Sequence, residues 1–138
     1  MERVMAMIRS AFIHFLKENI SEVGGRVYQA YLAPKQAKRP YLAVRMGETI
    51  ESGTISFGGT AQIEVFVYDD IGGSFLNVDR ISDKIVALLN GAYITDPEDG
   101  KTYYIEWNPT TNDIIEEDRN LIGRLLRFRT AILCERRA

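Results

Sequence analysis

Ala61 to Tyr68 alternate without interruption, with Ala61, Ile63, Val65 and Val67 on one parity and Gln62, Glu64, Phe66 and Tyr68 on the other. Side chains of a β-strand point to opposite faces in turn, so this segment demands a sheet with one apolar face covered and one face left mixed. Tyr41 to Met46 repeats the pattern, with Leu42, Val44 and Met46 against Tyr41, Ala43 and Arg45. Val27 to Leu32 is rich in strand formers, and Thr102 to Trp107 reads as a short aromatic strand. Leu121 to Cys134 is longer, with Leu126, Phe128, Ile132 and Cys134 on one side and Arg127 and Arg129 on the other.

Helical spacing accounts for the cover. Val4, Ile8, Ala11, Phe12 and Phe15 form an apolar stripe that ends near Gly24-Gly25, where a left-handed residue can close the helix. Val78, Ile81, Ile85, Leu88 and Leu89 form a second stripe, with Ser74 placed to cap its start and Asn90-Gly91 to end it. Pro34 to Pro40 encloses a basic linker, Asn108 to Asp113 reads as a loop, and residues 47–60 read as a loop or an extended hairpin arm carrying Ile50, Ile55 and Phe57. The order predicts one α+β domain: a mixed, mostly antiparallel sheet with two helices on one face and the other face solvated or held for a partner. The 138 residues suit one core.

The chemical inventory is sparse. One cysteine, Cys134, and one histidine, His14, leave no material for a zinc cluster or a Cys/His pair, so no metal, cofactor or catalytic residue is assigned. Asp69 and Asp70 end a strand and could hold Mg²⁺, but a polar turn before a helix explains them more simply. Gly72-Gly73-Ser74 lacks the spacing and the lysine of a phosphate loop. Asp79 and Asp83, interleaved with Arg80 and Lys84, read as a solvated helix face. Seventeen basic against nineteen acidic residues give a net charge of -2, which argues against neutralisation of nucleic-acid phosphates as the main task. The basic linker and the arginines of the last strand stand against Asp113, Glu116, Glu117 and Asp118, a separation that suits pairing between subunits. No apolar run approaches the ~20 residues of a membrane span, and the first residues lack a signal-peptide pattern, so a cytosolic product without a membrane is expected.

Gly25-Arg26-Val27-Tyr28, then Ala33-Pro34, then Arg39-Pro40-Tyr41-Leu42-Ala43-Val44, follow an N-terminal helix. After them come the alternating strand, the helix Asn77 to Leu89 before Asn90-Gly91, and a last strand, Arg124 to Leu133, preceded by an acidic segment. In this order and spacing the chain resembles the tail completion, or tail terminator, proteins of long-tailed bacteriophages and prophages. The resemblance implies a structural, non-enzymatic subunit of a hexameric ring that caps the tail tube, stops its polymerisation and offers a surface for head–tail joining. Implied partners are further copies of the chain, the tube protein and the head–tail connector, with DNA passing through the lumen without sequence-specific binding. The implied location is the virion tail, after synthesis in the bacterial cytoplasm. For the subunit contact, strand aromatics are expected together with Arg127 and Arg129 facing Glu116 or Glu117, and Ile50, Ile55 and Phe57 on the arm. The alternatives are another connector or neck protein, or a small metal-dependent hydrolase using Asp69 and Asp70.

Overall fold

The structure is a computed structural model that describes residues 2–34, 37–51, 58–72, 75–98 and 100–133, with the side chains of 2–4, 48–51, 58, 132 and 133 set aside. Ser74, Ile55, Phe57 and Cys134 therefore lie outside the described residues, and Ile50 is described by its backbone alone. Helix α1 (Glu2–Asn19) and a short 3-10 turn precede β1 (Val27–Gln29), β2 (Tyr41–Glu51) and β3 (Gly58–Asp70). Helix α2 (Leu76–Leu89) leads to β4 (Ala92–Thr95), β5 (Thr102–Glu116) and β6 (Leu121–Leu133). The six strands form one sheet in the order β1-β2-β3-β6-β5-β4. β1 pairs with β2 in parallel and every other pair is antiparallel. This is the α+β arrangement that the alternation demands.

Both helices lie on one face. Ile8, Phe12, Leu16 and Ile20 are fully buried at four-residue spacing on and just after α1, so Leu16 carries the stripe onward and Phe15 sits partly buried at its edge. On α2 the buried set is Val78, Ile81, Ser82, Ile85 and Leu89, while Leu88, expected in the stripe, is 38% exposed. Val65, Val67, Ile105, Leu126 and Phe128 meet these helices from the sheet. Phe12 and Phe128 touch at 5.9 Å between ring centroids. Gly24 takes the left-handed conformation after the 3-10 turn, as its place in the sequence requires. Phe75 occupies the N-cap of α2 without a side-chain cap, and the Asp79 N–H bonds to its carbonyl at 2.7 Å.

Two segments depart from expectation, and a third takes the hairpin form that was one of its two readings. Ala92 to Thr95 forms a sixth strand, too short for its periodicity to stand out, and it exists because β5 pairs with it from Ala92 opposite Ile105 to Thr95 opposite Thr102. β5 does not end at Trp107. It runs through the expected loop to Glu116, with Asn108 opposite Arg127 and Asn112 opposite Leu125, so four steps on β5 match two on β6. Pro109 falls inside that bulge, where its missing N–H costs no ladder bond. At the other end, β2 and β3 continue as a pair to Glu51 opposite Gly59, after a one-residue shift between Met46 and Thr49.

Gly123 is the tightest point of the sheet. It lies opposite Tyr68, and a Cβ built there would fall inside the Val67 carbonyl and against the Tyr68 ring. The ring of Tyr68 thus lies across a gap in β6 that only glycine leaves open. Gly123→Ala is expected to destabilise the fold by about 3 kcal/mol, the upper range for forced overpacking, measured as a lower midpoint in urea unfolding with an unchanged slope.

Candidate functional site

The face without helices carries the even residues of β3 and the odd residues of β2 and β6. Tyr41 stands opposite Tyr68, Ala43 opposite Phe66 and Arg45 opposite Glu64. On β6, Gly123, Leu125 and Arg127 continue these rows. No helix covers them, yet Tyr41 is only 2% exposed and Ala43 only 4%. Their cover is aromatic. Tyr41 packs on Tyr28 at 5.8 Å and on Tyr68 at 5.2 Å, and Tyr68 lies parallel to Phe66 at 5.9 Å. Such contacts add roughly 0.5–1.5 kcal/mol each beyond their buried area.

Arginines lock the rings. Arg45 lies over Phe66 at 5.0 Å, forms an ion pair with Glu64 at 2.6 Å, and donates to the Tyr31 hydroxyl at 2.8 Å. Arg119 donates to the Tyr41 hydroxyl and pairs with Glu116, both at 3.3 Å. Arg39 ties the linker down, reaching Asp70 at 2.8 Å and the Arg119 carbonyl at 2.7 Å. Tyr31 adopts a left-handed backbone with φ 71°, a strained conformation for a non-glycine residue, and its side chain is 85% exposed. Together these residues enclose an open concavity of about 560 Å³ lined by Tyr31, Ala33, Tyr41, Phe66, Tyr68, Ile114 and Glu116. The arrangement offers aromatic surface with hydrogen-bonding groups at its rim, a cradle in shape.

The expected site residues fall into distinct settings. Arg127 is held within its own chain by the Asn112 side chain at 2.7 Å and the Thr110 carbonyl at 3.2 Å, with Glu64 at 3.7 Å. Arg129 and Glu106 approach at 3.7 Å, both about half exposed. Glu116 stands in the cradle wall, and Glu117 opens an exposed 3-10 turn. Neither arginine touches Glu116 or Glu117 of its own chain in the contacts described. Asp69 and Asp70 follow one another on β3 and so point to opposite faces. Asp69 accepts from the Asp70 N–H and the Asn77 side chain, whereas Asp70 pairs with Arg39. Their carboxylates do not converge on one cation, and among the described residues no group of three or more metal-ligating side chains gathers.

Other readings are refined. His14 meets Glu18 one turn on at 3.1 Å. Asp79 is not simply solvated, because Arg124 of β6 bridges it at 2.7 Å and Asp113 at 3.0 Å. Lys84 reaches Glu22 at 2.9 Å, which lowers the Glu22 carboxyl chiefly through that hydrogen bond. Tyr103 and Trp107 pack on the helix side of the sheet, leaving Tyr104 of that strand for the uncovered face. Arg45, Arg119 and Gly123 were not separable from ordinary surface residues in the sequence, since only cross-strand pairing brings them to the rings.

Burial, then the nearby Glu116 and Tyr41, pushes the Tyr68 hydroxyl up to about 12, and burial raises Tyr41 above its ordinary value too. The neutral phenol is the form the fold favours. Its contribution is therefore present below pH 10 and lost as pH rises from 10 towards 12. Absorbance titration of tyrosinate is expected to show a late component near pH 12 that Tyr68→Phe removes.

No protein-family model and no curated protein matches the chain. Among solved structures, a chain of one described as "Virion of native gene transfer agent (GTA) particle" superposes with a TM-score of 0.67 over 93% of this chain and 94% of that chain, at 14% identity. The two share a fold from end to end. Among the described residues, no helix is long and apolar enough to cross a membrane.

Proposed function

We propose that this chain is a structural subunit of a phage-like particle and, within it, a tail completion protein that closes the tail tube as a ring and presents a surface for head–tail joining. The observation that carries the reading is the end-to-end fold likeness to a chain of a gene transfer agent virion. A sheet with one face sealed by helices and the other lined with aromatic residues and arginine supports it, because such a face resembles a protein interface more than a solvated surface. The absence of a convergent acid pair at Asp69 and Asp70 favours assembly over hydrolysis.

In this reading the subunits form a hexamer that meets the tube protein on one side and the connector on the other, and DNA passes through the lumen. Arg127 and Arg129 face Glu116 and Glu117 of the neighbour, and the arm with Ile50, Ile55 and Phe57 reaches an adjoining subunit or the tube. Another connector or neck protein of the same particle is the second reading, since a subunit of either kind needs the same two-faced sheet.

Light scattering of the purified chain is expected to give a particle of about six subunits, a closed cyclic assembly, and Arg127→Glu with Arg129→Glu to reduce its mass. An unchanged mass would overturn the residue assignment. Deleting the gene from its particle is expected to yield headless tails of unregulated length; tails of normal length joined to heads would exclude the terminator role.

A further inference from the structure

The cradle is not the only apolar feature of the uncovered face. Tyr93 on β4 and Tyr104 on β5 stand opposite one another, 72% and 44% exposed, with ring centroids 4.9 Å apart. Their neighbours Ile94, Tyr103 and Ile105 enter the core on the helix side, so the tyrosine pair projects on the same face as the cradle. β4 is the last strand of the sheet and the cradle sits over β2 and β3, three strand spacings away. Across the strands, at about 4.8 Å per spacing, this is roughly 14 Å; along them, Tyr104 precedes Ile105 opposite Thr130, while Phe66 and Tyr68 lie opposite Leu125 and Gly123, about 20 Å further on at ~3.3 Å per residue. Knob and cradle are therefore roughly 25 Å apart, and the knob is held on its own rigid strands. A chain cannot fill its own cradle with its own tyrosines.

We infer that the Tyr93–Tyr104 pair of one copy seats in the aromatic cradle of the next, so that copies join head to tail. The inference rests on the ring reading above and names the contact that builds the ring. Three observations carry it. The knob is an exposed aromatic pair and the cradle an aromatic hollow, the residue type that dominates binding energy at protein interfaces. An opposite charge is available beside each: Arg129 lies next to Tyr104 through its pairing with Glu106, and Glu116, which in its own chain pairs with Arg119 at 3.3 Å, is the acidic group of a cradle wall that also carries Arg45 and Arg119. Finally, the cradle is already ordered by its ring contacts and by the Arg45 bond that holds strained Tyr31 at the rim, so little side-chain entropy is lost on docking.

At 72% and 44% exposure, the two tyrosines can bury only that part of the roughly 150–250 Å² a ring covers, about a quarter to a third of the ~800 Å² per partner that a stable contact needs; the flanking strands and the Arg129–Glu116 meeting supply the rest. Because knob and cradle are different surfaces, the contact is heterologous, and a heterologous contact closes into a ring when its rotation permits.

Complementary variants test this. Tyr93→Ser with Tyr104→Ser removes the knob, and Ala33→Arg occludes the cradle from its partly exposed rim. Each is expected to be monomeric by light scattering while keeping a wild-type circular dichroism spectrum and a cooperative melt, and an equimolar mixture is expected to give a dimer and nothing larger, since one intact junction remains. Should Ala33→Arg fail to fold, Glu116→Arg, half-buried at the same wall, takes its place in the mixture. A wild-type ring accompanied by variants that assemble as well as it does, or by a mixture that stays monomeric, overturns the tyrosine contact and leaves the ring reading standing. A wild-type chain that is monomeric at the highest attainable concentration overturns both.

Discussion

β3 and β6 pair along their whole described lengths, from Gly58 opposite Leu133 to Asp70 opposite Leu121, with no break in register. Both strands lie in the middle of the sheet, so this ladder sets the faces of every other strand. A slip of one residue would carry Val65, Val67, Leu126 and Phe128 out of the core and drive Glu64 and Arg127 into it. The register also places Gly123 beneath Tyr68, and through that one pair it decides that an aromatic ring lies flat across the uncovered face. The two irregular pairings, β2 with β3 beyond Met46 and β5 with β6 near Pro109, absorb their extra residues at the flanks and leave the central ladder undisturbed.

The two faces of this sheet are stabilised in different ways. On the helix side, closely packed aliphatic residues and Phe128 remove apolar area from water, and replacing a ring such as Phe128 by alanine would cost about 3–5 kcal/mol. On the other side, rings and guanidinium groups cover one another without a second layer. Glu64 stands between Arg45 and Arg127, with side-chain exposure of only 12%, so its one carboxylate is shared by two guanidinium groups, closely with Arg45 and more distantly with Arg127. That order explains how Tyr41 and Ala43 come to be buried on a side that carries no helix.

Much of this was legible from residue spacing. The parity of Ala61 to Tyr68 and of Tyr41 to Met46 predicted which side chains enter the core, and Ile8, Phe12, Ile81 and Ile85 fell where helical spacing put them. Leu88 did not, because a stripe about 100° wide leaves its flank residues to be settled by the neighbouring strands. Ala92 to Thr95 and the second half of β5 were hidden for a related reason: a four-residue strand and a segment containing Pro109 have weak local preference and owe their conformation to the partners they pair with. The candidate cradle was visible only as an excess of strand aromatics. Tyr103 and Trp107 belong to the core instead, and Tyr31 owes its place at the rim to a left-handed backbone that no spacing rule announces.

By itself, the sequence determined a half-covered sheet and two amphipathic helices, since periodicity and residue type are local properties of the chain. Tertiary structure alone decided strand order, the bulge at Pro109, the meeting of Arg124 with Asp79 and Asp113, and the gathering of Tyr28, Tyr41, Phe66 and Tyr68 under Arg45 and Arg119. These last depend on pairings between segments up to about eighty residues apart, such as the Arg119–Tyr41 bond. Closure of loops of that length depends only weakly on the residues within them, so the pairing is selected by the finished core and not by any local stretch of chain.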